Sequence, residues 1–138
     1  FGLIAVCGSY YLFALELNYE VFILGAQIGL LSTTLIMINN FRDRHTDFEV
    51  GKRTLATRID TSLYLNLFYV ALVLPHFLQF FFVYHIRSLL TIMALPMMLK
   101  VHSTIAHNTT PEAMNDALKF CAIHLLLFGA LSGIGFLL

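Results

Sequence analysis

The sequence predicts an all-α, multi-pass transmembrane helix bundle, and three observations predict it. Of its 138 residues, 59% are hydrophobic and 12% charged, against about 25% charged in soluble domains. Mean hydropathy is +0.81. The apolar residues gather in runs close to the roughly 20 residues that cross a hydrocarbon core of about 30 Å, with the charges at the run ends. Helices are the expected spanning form, because backbone polar groups in lipid must be satisfied within the segment.

Five runs qualify: residues 1–17, 21–41, 63–84, 88–106 and 117–138. The fourth is interrupted by Lys100 and His102. Gly25/Gly29 and Gly129/Gly133 have the GxxxG spacing that lets helix backbones approach. Pro75 and Pro96 are expected to kink the third and fourth helices and to free carbonyls that need partners nearby. Cys7 and Cys121 lie in apolar runs without metal or redox spacing, so they read as small apolar side chains. The chain opens on Phe1, already within an apolar run and without the basic start or small-residue cleavage site of a signal peptide. The expectation is the C-terminal part of a longer membrane protein.

If the spans alternate, the connections 42–62 and 100–119 share one side. That side holds Arg42, Arg44, Lys52, Arg53, Arg58, Lys100 and Lys119, leaving Arg87 on the other. The positive-inside rule makes the rich side cytoplasmic. The formal net charge is zero and there is no basic stripe, which argues against a nucleic-acid partner.

The chemistry concentrates in the loop 42–62. Nine of the sixteen Asp, Glu, Lys and Arg residues fall between Arg42 and Asp60. If the second helix runs a turn or two past Phe41, then Asn39, Asp43 and Asp47 recur every fourth residue on one face. Carboxylates so spaced, about 6 Å apart along the axis, suit Mg²⁺, which takes one or two carboxylates and fills its shell with water and phosphate oxygens. Zinc is disfavoured, since His45 falls on another face. Arg42, Lys52, Arg53 and Arg58 add a receptor for a strongly anionic group such as diphosphate. Gly51-Lys52-Arg53-Thr54 is not a P-loop, because Thr46 and Arg53 stand where Gly and Ser or Thr are needed. An ordinary charged loop between spans remains the plain alternative. It leaves Asp43 and Asp47 unexplained, as acidic residues contribute little to topology, and Asn39-Asn40 at a helix end costs insertion energy.

The run Asn39-Asn40-Phe41-Arg42-Asp43, Asp47 and Gly51-Lys52-Arg53-Thr54-Leu55-Ala56-Thr57-Arg58 resembles the second aspartate-rich motif of the UbiA superfamily of intramembrane prenyltransferases. It most resembles the 1,4-dihydroxy-2-naphthoate polyprenyltransferase (MenA-type) branch of menaquinone biosynthesis, whose Gly-Thr-Tyr-Tyr is similar to Gly8-Ser9-Tyr10-Tyr11. Ser9 replaces Thr, and Asp60 stands where Gly is usual.

The resemblance implies a nine-helix bundle in a bacterial cell membrane, of which this chain supplies five helices; the first aspartate-rich motif lies upstream. It implies Asp43 and Asp47 as catalytic, metal-bridging carboxylates, Asn39 as a further ligand or orienter, and Mg²⁺ as cofactor. Arg42, Lys52 and Arg53 become the diphosphate-binding residues, with Tyr10 and Tyr11 offered to an acceptor and cation cavity. The implied partners are polyprenyl diphosphate, an aromatic acceptor and the lipid bilayer, and the chain alone is expected to be inactive. A relative acting on 4-hydroxybenzoate or homogentisate stays open within this class. A transporter, suggested by intramembrane His and Lys residues and prolines, stays open outside it.

Overall fold

The computed structural model describes residues 1–82 and 86–137, without the side chains of residues 82, 86–88, 136 and 137. The expected ends of the third and fifth spans, Tyr84 and Leu138, and the side chain of Arg87 lie outside what is described. The described chain is all-helical: α1 (Leu3–Ala14), α2 (Tyr19–Arg42), α3 (Arg44–Glu49), α4 (Leu55–Arg58), α5 (Thr61–Leu78), 3₁₀ segments at Gln79–Phe82 and Ile86–Ala94, α6 (Leu95–His107) and α7 (Pro111–Leu137). Four stretches are long and apolar enough to span a bilayer: Tyr19–Arg42, Thr61–Phe81, Leu89–His107 and Pro111–Gly135. The chain is therefore an integral membrane protein. The first expected span is a helix of 12 residues, about 18 Å long and short of a full crossing.

Local signals set the boundaries. Asn18 Oδ1 accepts from the Val21 N–H at 3.0 Å and starts α2, and Asp60 Oδ2 accepts from the Ser62 N–H at 2.8 Å and starts α5. The 100–119 connection is corrected to residues 108–110, because α7 begins at Pro111. Proline costs nothing in a first turn, where its N–H would have no helical partner. Lys100 and Lys119 therefore sit on helices. Pro96 likewise lies in the first turn of α6 and starts that helix where a kink was expected. Pro75 is interior to α5, and its carbonyl accepts from Gln27 Nε2 at 2.8 Å.

The helix α2 is the hub, packing against α1, α5 and α7, while α6 and α7 form a hairpin. Only one of the two GxxxG pairs makes the expected close approach. A Cβ on Gly25 or Gly29 would meet the backbone of Leu3 or Gly2 at 3.1 Å, whereas one on Gly133 would meet nothing within 4 Å. The core cluster joins Met37, Ile38 and Phe41 of α2 to Tyr64, Phe68 and Leu72 of α5, with Val101, Ile105, Met114 and Cys121 closing it. Both cysteines are buried free thiols. The largest part of this core lies directly beneath the charged loop, so the end of α2 rests on a packed base.

Candidate functional site

The end of α2 is fixed by aromatic packing. Phe41 stacks on Tyr64 with centroids 5.6 Å apart, and the Tyr64 hydroxyl donates to the Met37 carbonyl at 2.8 Å. The Arg44 guanidinium lies 4.5 Å from the Phe41 ring centre and donates to Thr61 Oγ1 at 2.9 Å. Arg44 thus ties α3 to the start of α5.

The chain bends at Asp43 (φ −91°, ψ 4°), yet the four-residue ladder continues through the bend. Asp43 N–H donates to Asn39 C=O at 3.1 Å, and Asp47 N–H to Asp43 C=O at 2.8 Å. Asn39, Asp43 and Asp47 therefore follow one another at helical spacing, as the sequence predicts.

Arg42 organises the first half of the group. Its Nε and Nη2 donate to the two Asp43 oxygens at 2.7 and 2.9 Å, a bidentate, charge-assisted pair. Nη2 also donates to Asn39 Oδ1 at 2.9 Å, and Nη1 to Asn115 Oδ1 at 2.7 Å. The Arg42 hydrogen bond holds the Asp43 carboxyl below the usual carboxylate range, against a smaller opposing effect of burial.

The second half is set by a glycine. Gly51 adopts φ +74°, the left-handed region that favours glycine. Its N–H donates to Phe48 C=O at 3.1 Å, and the Lys52 N–H to Asp47 C=O at 2.8 Å. These bonds form a Schellman closure of α3, which returns the Lys52 side chain to Asp47. Lys52 Nζ donates to Asp47 Oδ1 at 3.1 Å and lies 3.0 Å from Oδ2. That second contact is off the hydrogen-bond axis, so Asp47 Oδ2 is buried with no hydrogen-bond partner. Asp47 is 7% exposed.

Arg53 and Arg58 are exposed. With Phe48, Gly51, Lys52 and Thr57 they line a cavity of about 420 Å³. Five of the expected site residues, Asn39, Arg42, Asp43, Asp47 and Lys52, are thus linked by hydrogen bonds or the α2–α3 backbone ladder, with Arg53 on the adjoining cavity. Tyr10 and Tyr11 are not brought to this site. Tyr10 accepts from Asn18 Nδ2 at 3.4 Å, and Asn18 and Asp43 flank opposite ends of the 24-residue α2, about 36 Å apart. Because α1 runs antiparallel to α2, its end can only meet the start of α2. Asn115 is the residue that sequence reasoning missed. Its only sequence signal is an amide in the polar first turns of α7, which read as loop.

The donor set suits a hard divalent cation: two carboxylates, one with an unbonded buried oxygen, beside an amide oxygen. Among the described residues no group of three His, Cys, Asp or Glu side chains converges.

The fold and site define a class: a multi-pass helical membrane protein with paired acidic and basic residues capping one end of the bundle. Its sequence is similar to three 1,4-dihydroxy-2-naphthoate octaprenyltransferases. That of Mycobacterium leprae is 38% identical over 73 residues, 53% of this chain and 25% of the relative. That of Escherichia coli K12 is 30% identical over 123 residues, 86% of this chain and 40% of the relative. That of Haemophilus influenzae is 39% identical over 59 residues, 43% of this chain and 19% of the relative. These similarities make the chain a homologue, over part of their length, of proteins that carry that name. The chain spans less than half the length of each relative. No protein-family model matches it, and no solved structure does.

Proposed function

We propose that this chain supplies part of the site of a Mg²⁺-dependent prenyltransferase. In this reading the enzyme moves a polyprenyl group from polyprenyl diphosphate to 1,4-dihydroxy-2-naphthoate in menaquinone biosynthesis. The observation that carries the reading is the pairing of Asp43 with Arg42 and of Asp47 with Lys52 beside the Arg53–Arg58 cavity. The names of the relatives supply the acceptor and the class of donor.

Asp43 and Asp47 would hold Mg²⁺, with Asn39 orienting the pair and further ligands coming from outside this chain. When bound, the ion supplies positive charge against the diphosphate oxygens. Lys52, Arg53 and Arg58 bind the diphosphate and stabilise the charge it gains as the carbon–oxygen bond breaks and it leaves with the electron pair. Arg42 keeps Asp43 ionised and aimed. The surrounding apolar helices exclude water from the allylic carbon until an acceptor ring carbon bonds to it and gives up its proton; the ring carbon that loses its carboxylate as carbon dioxide takes up a proton in its place. The cap faces the cytoplasm, following the excess of Lys and Arg at that end.

Membranes containing the full-length protein test this with labelled polyprenyl diphosphate and an acceptor panel. Mg²⁺-dependent product from dihydroxynaphthoate, and none from 4-hydroxybenzoate or homogentisate, is the expected outcome. Transfer to either of those two alone would move the protein to another branch.

A further inference from the structure

A second polar cluster lies within the bundle, away from the cap. His76 of α5 and His124 of α7 approach with their Nε2 atoms 3.0 Å apart. Their ring planes differ by 18° and their centroids are 5.2 Å apart, close to the largest separation that the N···N distance and the two ring radii allow. The imidazoles therefore meet head-on, nearly in one plane, and one proton joins them. A metal between them would need about 2.0–2.1 Å to each nitrogen, which a head-on separation of 3.0 Å does not allow. Phe128 holds the pair edge-on, 5.3 Å from His76.

The direction of the shared proton follows from burial. His124 is 0% exposed, and its Nδ1 is buried with no partner. An orphaned N–H is the rarer and costlier defect in a protein interior, so His124 Nδ1 carries a lone pair and Nε2–H donates to His76. Neutral His76 then accepts at Nε2 and carries its own proton on Nδ1. His76 borders a cavity of about 330 Å³ whose other walls include Phe77, Gln79, Phe80, Leu89, Thr91 and Ile92. His76 lies 15 residues into α5 from Thr61, about 22 Å from the cap.

We propose that this cavity binds a neutral aromatic molecule bearing a carbonyl oxygen, of the quinone class, with His76 Nδ1–H donating to that oxygen. The donor calls for an acceptor, and the membrane interior disfavours a charged one. Phe77 and Phe80, the two phenylalanines among mostly aliphatic walls, suit a flat ring, and the volume, near the lower end of ligand cavities (about 300–1,000 Å³), fits one or two fused rings. The site lies apart from the cap and does not depend on the transfer reaction.

Equilibrium binding of radiolabelled 2,3-dimethyl-1,4-naphthoquinone to the full-length protein in lipid nanodiscs tests the proposal; its substituted ring carbons suppress reaction with thiols. The expected result is saturable binding, weakened about tenfold by His76→Phe, abolished by the cavity-filling Ile92→Trp, and unchanged by Asp43→Asn. Thermal unfolding checks that each variant is folded. Should His76→Phe not fold, Ile92→Trp decides. Absence of saturable binding to the parent protein, or parent-like binding by a folded His76→Phe or Ile92→Trp, overturns the proposal. Loss of prenyl transfer in Asp43→Asn with binding retained separates this site from the one at the cap.

Discussion

Lys52 lies over the Asp47 carboxylate, 3.1 and 3.0 Å from its two oxygens, because Gly51 between them turns into the left-handed region. The backbone closure that ends α3 is the same one that aims the ammonium. Gly51→Ala should therefore disturb the site without touching a charge. The left-handed conformation costs a residue with Cβ about 1–2 kcal/mol. Asn, which tolerates it better, should do less harm than Ala. Prenyl transfer by the three full-length proteins should fall in the order Gly, Asn, Ala; equal activity of all three would show that the turn does not aim Lys52.

The Asp47–Lys52 pair is asymmetric in burial. Lys52 has 55% of its side-chain surface exposed and Asp47 has 10%. Removing the acid releases a lysine into solvent, whereas removing the base strands a buried carboxylate. Lys52→Met should thus destabilise the protein more than Asp47→Asn, by about 1–3 kcal/mol, in Mg²⁺-free buffer. Thermal melting of both variants reads the order directly.

Asn115 touches Arg42 across the bundle, from α7 to α2. Asn115→Ala leaves the charge of Arg42 intact and removes one of the partners that fix its guanidinium. Transfer should drop about tenfold with little change in melting temperature, as Asn115 is exposed. Asn115→Asp, which keeps the acceptor, should retain more activity than Asn115→Ala. If Ala and Asp variants both match the parent, Asn115 has no positioning role.

The Arg42–Asp43 bond implies a pH dependence with a definite sign. The folded carboxyl titrates below the ordinary value of about 3.9. Its contribution to stability is therefore complete above that value and is lost as pH falls through the depressed folded value. The pair is partly exposed, so the effect should be small. Arg42→Gln should remove this contribution, so the gap in melting temperature between parent and variant should be full near pH 6 and shrink as pH falls below about 4.

Much of this was legible in the sequence, because spans and motif are both local patterns. Four stretches long enough to cross a bilayer fell near the runs read from hydropathy, and the spacing of Asn39, Asp43 and Asp47 survived the bend at Asp43. What was missed depended on other parts of the chain. Asn115 and Asp116 looked like loop, yet a helix that starts at Pro111 tolerates polar residues in its first turns. Pro96 looked like a kink until its place in the first turn of α6 was known. The placement of Tyr10 and Tyr11 at the far end of α2 from the motif follows from the antiparallel packing of α1 on α2, which no local pattern shows. The His76–His124 bond joins residues 48 apart, beyond the reach of any local pattern.

The central claim is that the Asp43 and Asp47 carboxylates act on the metal-bound diphosphate. The most direct measurement is Mg²⁺-dependent transfer from labelled polyprenyl diphosphate by full-length Asp43→Asn and Asp47→Asn proteins whose melting curves show them folded. Removing either charge should lower the rate about a hundredfold or more. Near-parental activity of a folded Asp43→Asn protein would contradict the account.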